Sequence, residues 1–485
     1  MKKSFVSNLI LLLGANVLIK PIFIFWVDRS VQNHSATSEY GLYFTFFSYC
    51  MILSLAVDFG VQTWYHKTIA NDNAHFNTLF PKVVLAKLFS SLIYMTLLLT
   101  IFWSLRYKAA FFPLFLTIIL WQLVSSWVLL LRSNVSGFGQ YKTDVFFSIL
   151  DKFLLISVFG IYFLLHKIQS FDTSLFATWQ LCGSLFLLLI LCLWSAFNLP
   201  LMRMVRPKVS EAFQVLKSSS GFALVILCML LYQRADSIVL ERFLTDGSHQ
   251  AGIYAAAYRL IDAMNMLGFL AAGLLLPMFA SLEKKHLEKI GLFDTSFRLL
   301  WWFVLVAAIP ICFNSQFIMS ILYHNPSKEW GWALSILVWS FVFMTMTYVS
   351  GTYLTAGGKV QKLWKLYGLV TVFSVLTNVV IVQTYGLFGV CIVSVISNMA
   401  VFCIQTVFAI KDIKWPEYKV MVKQCLLYLT LAIVGVWLLN SLFYENSLSG
   451  LITSFIFVLL LGILTKVVSV RSFLAVYQNF MKPTS

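Results

Sequence analysis

Acidic residues are scarce in this sequence. Only 19 of 485 residues are Asp or Glu, and charged residues of all kinds make up 11%. A soluble domain carries about a quarter charged residues, so that scarcity excludes an ordinary water-soluble protein. Paired cysteines are missing too. The eight cysteines are scattered through apolar runs without a CxxC pair, and the seven histidines are dispersed without an HExxH. These patterns give no support for a structural or catalytic metal, and the cysteines read as small buried residues. No metal or cofactor is expected. Long polar connections are lacking as well. No loop assigned to the outside exceeds roughly a dozen residues, which leaves no extracytoplasmic domain. Neither paired carboxylates nor a Ser/His/Asp arrangement collects at one membrane face, so an enzyme is not expected.

What the chain does contain is apolar surface. Hydrophobic residues make up 60%, with 45 Phe, 20 Tyr and 15 Trp, and the mean hydropathy is +0.86. This is the composition of a polytopic membrane protein, and most of the aromatic load is expected to face lipid or the interface. A spanning helix needs about 20 mostly apolar residues. That rule predicts fourteen spans, at about 5–27, 39–65, 83–104, 110–131, 146–166, 173–197, 219–240, 252–278, 299–321, 332–354, 364–384, 387–410, 421–441 and 448–468. Tyr385-Gly386-Leu387-Phe388-Gly389 is predicted to be the tight turn between the eleventh and twelfth. Met1-Lys2-Lys3 and the apolar run after it have no A-x-A-like cleavage site, so they read as the first span rather than a signal peptide.

The net charge of +16 raises the question of nucleic acid, but the basic residues sit in short loops between apolar runs. With the N-terminus inside, cytoplasmic segments collect 25 of the 35 Lys and Arg residues and outside loops collect six. That bias is the positive-inside pattern. It predicts two cytoplasmic termini and an even number of spans, and leaves no soluble domain for nucleic acid. The connections Pro200–Ser218 and Glu283–Arg298 read as basic interfacial segments against anionic lipid.

Two short motifs recur. Tyr40-Gly41-Leu42-Tyr43 opens the second span and Ala251-Gly252-Ile253-Tyr254 opens the eighth. Ser136-Gly137-Phe138-Gly139-Gln140 follows the fourth, and Ala356-Gly357-Gly358-Lys359-Val360 follows the tenth. Matching topological positions suggest two parallel six-span halves. The expected fold is therefore an all-α integral membrane protein of about fourteen transmembrane helices, with two six-helix pseudo-repeats around a central cleft and two C-terminal helices. The corresponding divisions are 1–198, a cytoplasmic linker at 199–218, 219–410, and 411–485.

Charges inside these spans are costly, about 2.5–3.5 kcal/mol each near a helix centre. Lys20, Arg234 and Arg259 each fall some seven residues from the expected outer end of their spans, at about 10 Å depth. Three cations at one depth suit an anion in a cleft. The alternative is a helix clamp. Arg259 and Asp262 share a helical face, and Arg234 can pair with Asp262 while Arg259 pairs with Asp236. Asp58, Asp236 and Asp262 are candidates for an ion-coupling site or for salt bridges. Tyr232 and Tyr258, beside the arginines, are candidates for stacking on a sugar.

Span count, repeat and trailing helix pair resemble the multidrug/oligosaccharidyl-lipid/polysaccharide exporter superfamily. The wording of Glu39-Tyr40-Gly41-Leu42-Tyr43, Asp58-Phe59-Gly60-Val61, Arg234-Ala235-Asp236, Tyr258-Arg259-Leu260 and Ala356-Gly357-Gly358-Lys359 is similar to its polysaccharide-transporter branch, the Wzx-type O-antigen flippases. The resemblance implies flipping of an undecaprenyl-diphosphate-linked oligosaccharide across a bacterial inner membrane by alternating access. It also implies a carrier diphosphate held on Lys20, Arg234 and Arg259. H+ or Na+ as coupling ion, membrane lipids, and glycan polymerase machinery are the other partners it suggests. A lipid II flippase and a multidrug cation antiporter of the same superfamily are the competing functions.

Overall fold

The computed structural model describes residues 19–71, 76–165, 170–198, 207–282, 286–415, 417–442 and 447–468. Every regular element among them is helical. In lipid, a helix satisfies its backbone groups internally, and the apolar sequence allows little else. The helices are α1 (a π-helical turn Phe23–Asp28 running into Arg29–His34), α2 (Thr37–Asp58), α3 (Val61–Asn71), α4 (Phe76–Ser104), α5 (Phe112–Gly137), α6 (Tyr141–Leu165) and α7 (Thr173–Asn198). They continue as α8 (Val209–Phe243), α9 (Gly247–Ser281), α10 (His286–Phe313), α11 (Ser315–Leu322), α12 (Lys328–Ala356), α13 (Val360–Ile413), α14 (Tyr418–Leu442) and α15 (Leu448–Leu464).

Ten helices among the described residues are long and apolar enough to cross a membrane, so this is a multi-pass membrane protein. One of the ten, α13, is two helices joined at Gly386, whose φ of 52° and ψ of −139° break the helical run. The break falls inside the predicted turn. Elsewhere the helices outrun the predicted spans. The connection expected over 283–298 is already helix from His286, and its Asp294 and Arg298 form an (i, i+4) ion pair at 2.5 Å. Predicted span two stops at Asp58, because Phe59 (φ 45°) and Gly60 (φ 74°) turn left-handed and start α3. A Cβ on Gly60 would lie 2.6 Å from the Ser219 carbonyl oxygen.

The chain forms two compact units, Met1–Ala255 and Ala256–Ser485, dividing within α9. In the first unit α8 packs on α2 and α4, and α5 on α7. The α2–α8 seam is made of small polar residues, with Ser237 donating to Ser48 Oγ at 2.9 Å. Such residues let helix backbones approach in lipid. In the second unit α12 packs on α13 and α10, and α14 and α15 cover α10.

The recurring motifs turn out to be structural. Gly41 on α2 meets the start of α9 backbone to backbone, where a Cβ would lie 2.5 Å from Gly252 N and closer still to the Ser248 carbonyl oxygen. Gly252 in turn faces the Thr37 carbonyl, and its own carbonyl accepts from Gln32 Nε2 at 3.2 Å. Tyr40 donates to Asp28 on α1 and Tyr254 to Asp236 on α8, each at 2.8 Å. The other motif ends α5 and α12 with one shared pattern. Phe138, Gly139 and Gln140 donate to the carbonyls of Asn134, Ser136 and Val135, and Gly357, Gly358 and Lys359 to those of Tyr353, Thr355 and Leu354. Gly139 (φ 78°) and Gly358 (φ 70°) supply the left-handed residue that such a cap needs.

Candidate functional site

In the first unit the charges are arranged around aromatic rings. The helix that carries Lys20 continues to His34, about 20 Å further at about 1.5 Å per residue, beyond the predicted end of the first span. The charges acting on it are Lys152, Asp151 and Arg132. Lys152 Nζ sits 3.3 Å from Asp151 Oδ2 and over two rings, 4.8 Å from the centroid of Phe23 and 5.8 Å from that of Trp121. Arg132 is paired with Asp144 at 2.8 Å. Phe47 stacks on Trp121 at 5.6 Å, and the Arg234 guanidinium lies 5.9 Å from the Phe47 centroid. Aromatic faces attract cations more strongly once water is excluded. Lys20 and Arg234, expected together, are thus linked through Lys152, Trp121 and Phe47. Lys152 is not among the residues singled out in the sequence. Its signal was an ionisable pair, Asp151-Lys152, inside a run that proves helical from Tyr141 to Leu165.

Tyr232 is buried and its hydroxyl accepts from Gln233 Nε2 at 3.2 Å. Asp236 is fully buried and is held by the Tyr254 hydroxyl. Tyr258, Arg259 and Asp262 belong to the second unit. Tyr258 is buried, and Arg259 and Asp262 are half-buried. Asp262 acts electrostatically on Tyr348, whose hydroxyl accepts from Asn265 Nδ2 at 3.1 Å, while Thr345 donates to Asn265 Oδ1 at 3.2 Å. None of these three neighbours belongs to a motif or stands out as a charge in the sequence.

Asp58 is the last residue of α2, where Oδ1 accepts from Lys87 Nζ at 3.1 Å. The Lys87 side chain is 0% exposed and that of Asp58 26%. Lys87 falls within the predicted span 83–104 and lies eleven residues inside α4. It is a further buried cation in the apolar part of the chain.

A second polar knot closes the end of the first unit assigned to the outside. Tyr107, between α4 and α5, donates to Glu241 Oε2 at 2.7 Å, just past the apolar run of α8. Arg242 lies over the Tyr107 ring at 4.6 Å and donates to the Leu105 carbonyl at 2.6 Å. Burial pushes the Glu241 carboxyl above its usual range, outweighing Tyr107 and Arg242, which pull it down. The folded protein therefore holds this proton more tightly than the unfolded chain. Stability is expected to fall as pH rises from the ordinary value of 4.5 through the raised one. Thermal unfolding between about pH 4 and 8 should show this slope, and Glu241→Gln should flatten it.

The profile of the polysaccharide biosynthesis protein family matches residues 6–283, more than half of the chain. The chain belongs to this family. No curated protein sequence matches it significantly. Solved structures share its fold at low identity. The inward-closed lipid II flippase MurJ aligns over 99% of both chains, with 12% identity and a TM-score of 0.68. An inward-facing multidrug resistance MATE transporter covers 84% of this chain and 94% of its own, with 17% identity and a TM-score of 0.60. A MOP superfamily transporter from Pyrococcus furiosus, described by the reversed polarity of its binding pocket, gives 13% identity over the same shares and a TM-score of 0.56. This member of the polysaccharide biosynthesis family thus has the fold of MOP superfamily transporters.

Proposed function

We propose that the protein is a flippase that moves undecaprenyl-diphosphate-linked oligosaccharide from the cytoplasmic to the outer leaflet by alternating access, for O-antigen, capsule or exopolysaccharide assembly. The observation that carries this reading is the family match over residues 6–283 in a chain that shares its fold, end to end, with a lipid II flippase. The chemistry agrees. Lys20, Arg132 and Lys152 outnumber Asp144 and Asp151 in the first unit's polar cluster, which favours an anionic headgroup and disfavours the cationic drugs of an antiporter. Arg offers phosphate a bidentate fork and Lys a point charge, so Lys20, Arg234 and Arg259 are assigned to the carrier diphosphate and Tyr232 and Tyr258 to its sugars. Asp58, Asp236 and Asp262 are the candidates for H+ or Na+ coupling or for salt bridges that open and close.

The fold proposed for this cycle has fourteen spans in two six-helix repeats followed by a helix pair, within a bacterial inner membrane and with both termini cytoplasmic. The identical caps after α5 and α12 support the repeat. A lipid II flippase is the second reading, favoured by the MurJ fold.

In a host that depends on this gene for surface glycan, Arg234→Ala and Arg259→Ala are each expected to lower glycan display about tenfold or more at unchanged protein level, the scale of one lost charged hydrogen bond. Normal display would overturn the anion site. Exchanging Arg259 and Asp262 restores function only if the two form a clamp.

A further inference from the structure

Lys152 and Asp151 lie at the centre of the first unit's charge cluster, and neither has yet been given a role of its own. Lys152 sits on α6, Lys20 in the helical turn that runs into α1, and Arg132 on α5, so three helices bring cations to one place. Asp151 and Asp144 are the carboxylates among them, and Asp144 is engaged by Arg132 at 2.8 Å. That leaves Asp151 as the near counterion of two lysines, 3.3 Å from one and acting on the other. The position is not sealed: the side chains of Lys152 and Asp151 are 19% and 24% exposed. The ammonium is steered by Phe23 and Trp121, each buried, so its location is set by ring faces rather than by the carboxylate alone.

We propose that Lys20 and Lys152 form a diphosphate-binding subsite of the first unit, in which Asp151 is the resident counterion that the substrate's diphosphate displaces. This rests on the flippase reading and deepens it. A diphosphate esterified at both ends carries one negative charge on each phosphate, enough to replace a single carboxylate between two ammonium groups. Exchanging one anion for another avoids leaving either lysine uncompensated in an apolar surrounding, where an unpaired charge is most costly. Phe23 and Trp121 keep the Lys152 ammonium in place during the exchange. Arg234, joined to the same ring stack through Phe47, then lies beside the subsite for the rest of the headgroup.

The test uses the full-length protein in nanodiscs of neutral lipid, with farnesyl diphosphate as probe, and farnesyl alcohol and inorganic pyrophosphate as the arms that separate prenyl-chain from free-anion binding. Lys152→Met, of similar length and suited to an apolar site, is expected to weaken farnesyl diphosphate binding about tenfold or more, and Lys20→Met likewise. Lys152→Arg should stay within about threefold of the wild type. Asp151→Asn, which removes the competitor, should tighten binding. Two lysine variants that fold with the wild-type melting temperature and bind like it would overturn the inference, and so would weaker binding by Asp151→Asn. If those variants bind normally while Arg234→Ala and Arg259→Ala lose the probe, the inference falls and the flippase reading stands. A wild-type protein that binds no farnesyl diphosphate overturns both.

Discussion

Gly41→Ala is expected to prevent the protein from accumulating in the membrane, or to leave it with a melting temperature far below that of the wild type. The α2 and α9 backbones are in contact at this point, and the added Cβ would meet the Ser248 carbonyl and Gly252 N inside any permitted distance. Neither atom is the end of a flexible side chain. The helices have to separate, and separation also breaks the Gln32 bond to the Gly252 carbonyl and disturbs Tyr254, which holds Asp236. Overpacking a tight core costs about 1–3 kcal/mol and occasionally more, and a rigid backbone opposite places this site at the upper end. Gly252→Ala, facing the Thr37 carbonyl, should behave the same way. Gly273→Ala and Gly291→Ala are the controls. Both lie in helices with nothing within 4 Å of the new Cβ, and alanine's higher helix propensity makes each neutral or stabilising by up to about 1 kcal/mol. Fluorescence-detected gel filtration after a heating series reads all four.

That contact shows how far the sequence could be read. Gly41 and Gly252 were visible as a repeated phrase, and so were Gly139 and Gly358, because a left-handed cap or a close helix crossing leaves glycine at a fixed offset. The break at Gly386 was legible for the same reason. What the phrase could not tell was that its two copies touch each other, since a repeat gives equivalence and says nothing of contact. Helix lengths were read short, because the hydrophobicity rule counts only residues that need lipid, whereas a helix continues as long as its backbone is satisfied. This is why the helix of Lys20 runs further than the predicted first span and why the connection expected over 283–298 is helix from His286. The cation–ring arrangement around Lys152 was illegible in principle. Its members, Phe23, Trp121, Phe47 and Lys152, come from four helices, and no spacing rule links residues across helices.

Lys87 is the instance with the largest energetic consequence. Asp58→Ala is expected to cost about 3 kcal/mol or more, because breaking a buried pair from the carboxylate side leaves a fully enclosed ammonium without its counterion. Lys87→Met should cost much less. The Asp58 carboxylate left behind is a quarter exposed and keeps the Gln62 backbone N–H at 3.3 Å, so water and the start of α3 take over part of the lysine's role, while methionine fills its apolar path. The double variant Asp58→Ala/Lys87→Met should then be more stable than Asp58→Ala alone, recovering most of the loss. Thermal unfolding in detergent measures the cycle, and equal losses for the two single variants would show that the pair is not asymmetric. The asymmetry also bears on transport. If Asp58 takes part in ion coupling, its partner is a lysine that cannot move into water by itself, so protonating or displacing Asp58 has to shift α4 against the left-handed turn at Phe59 and Gly60. Lys87→Met would then uncouple transport while leaving the fold intact, whereas Asp58→Ala would lose both.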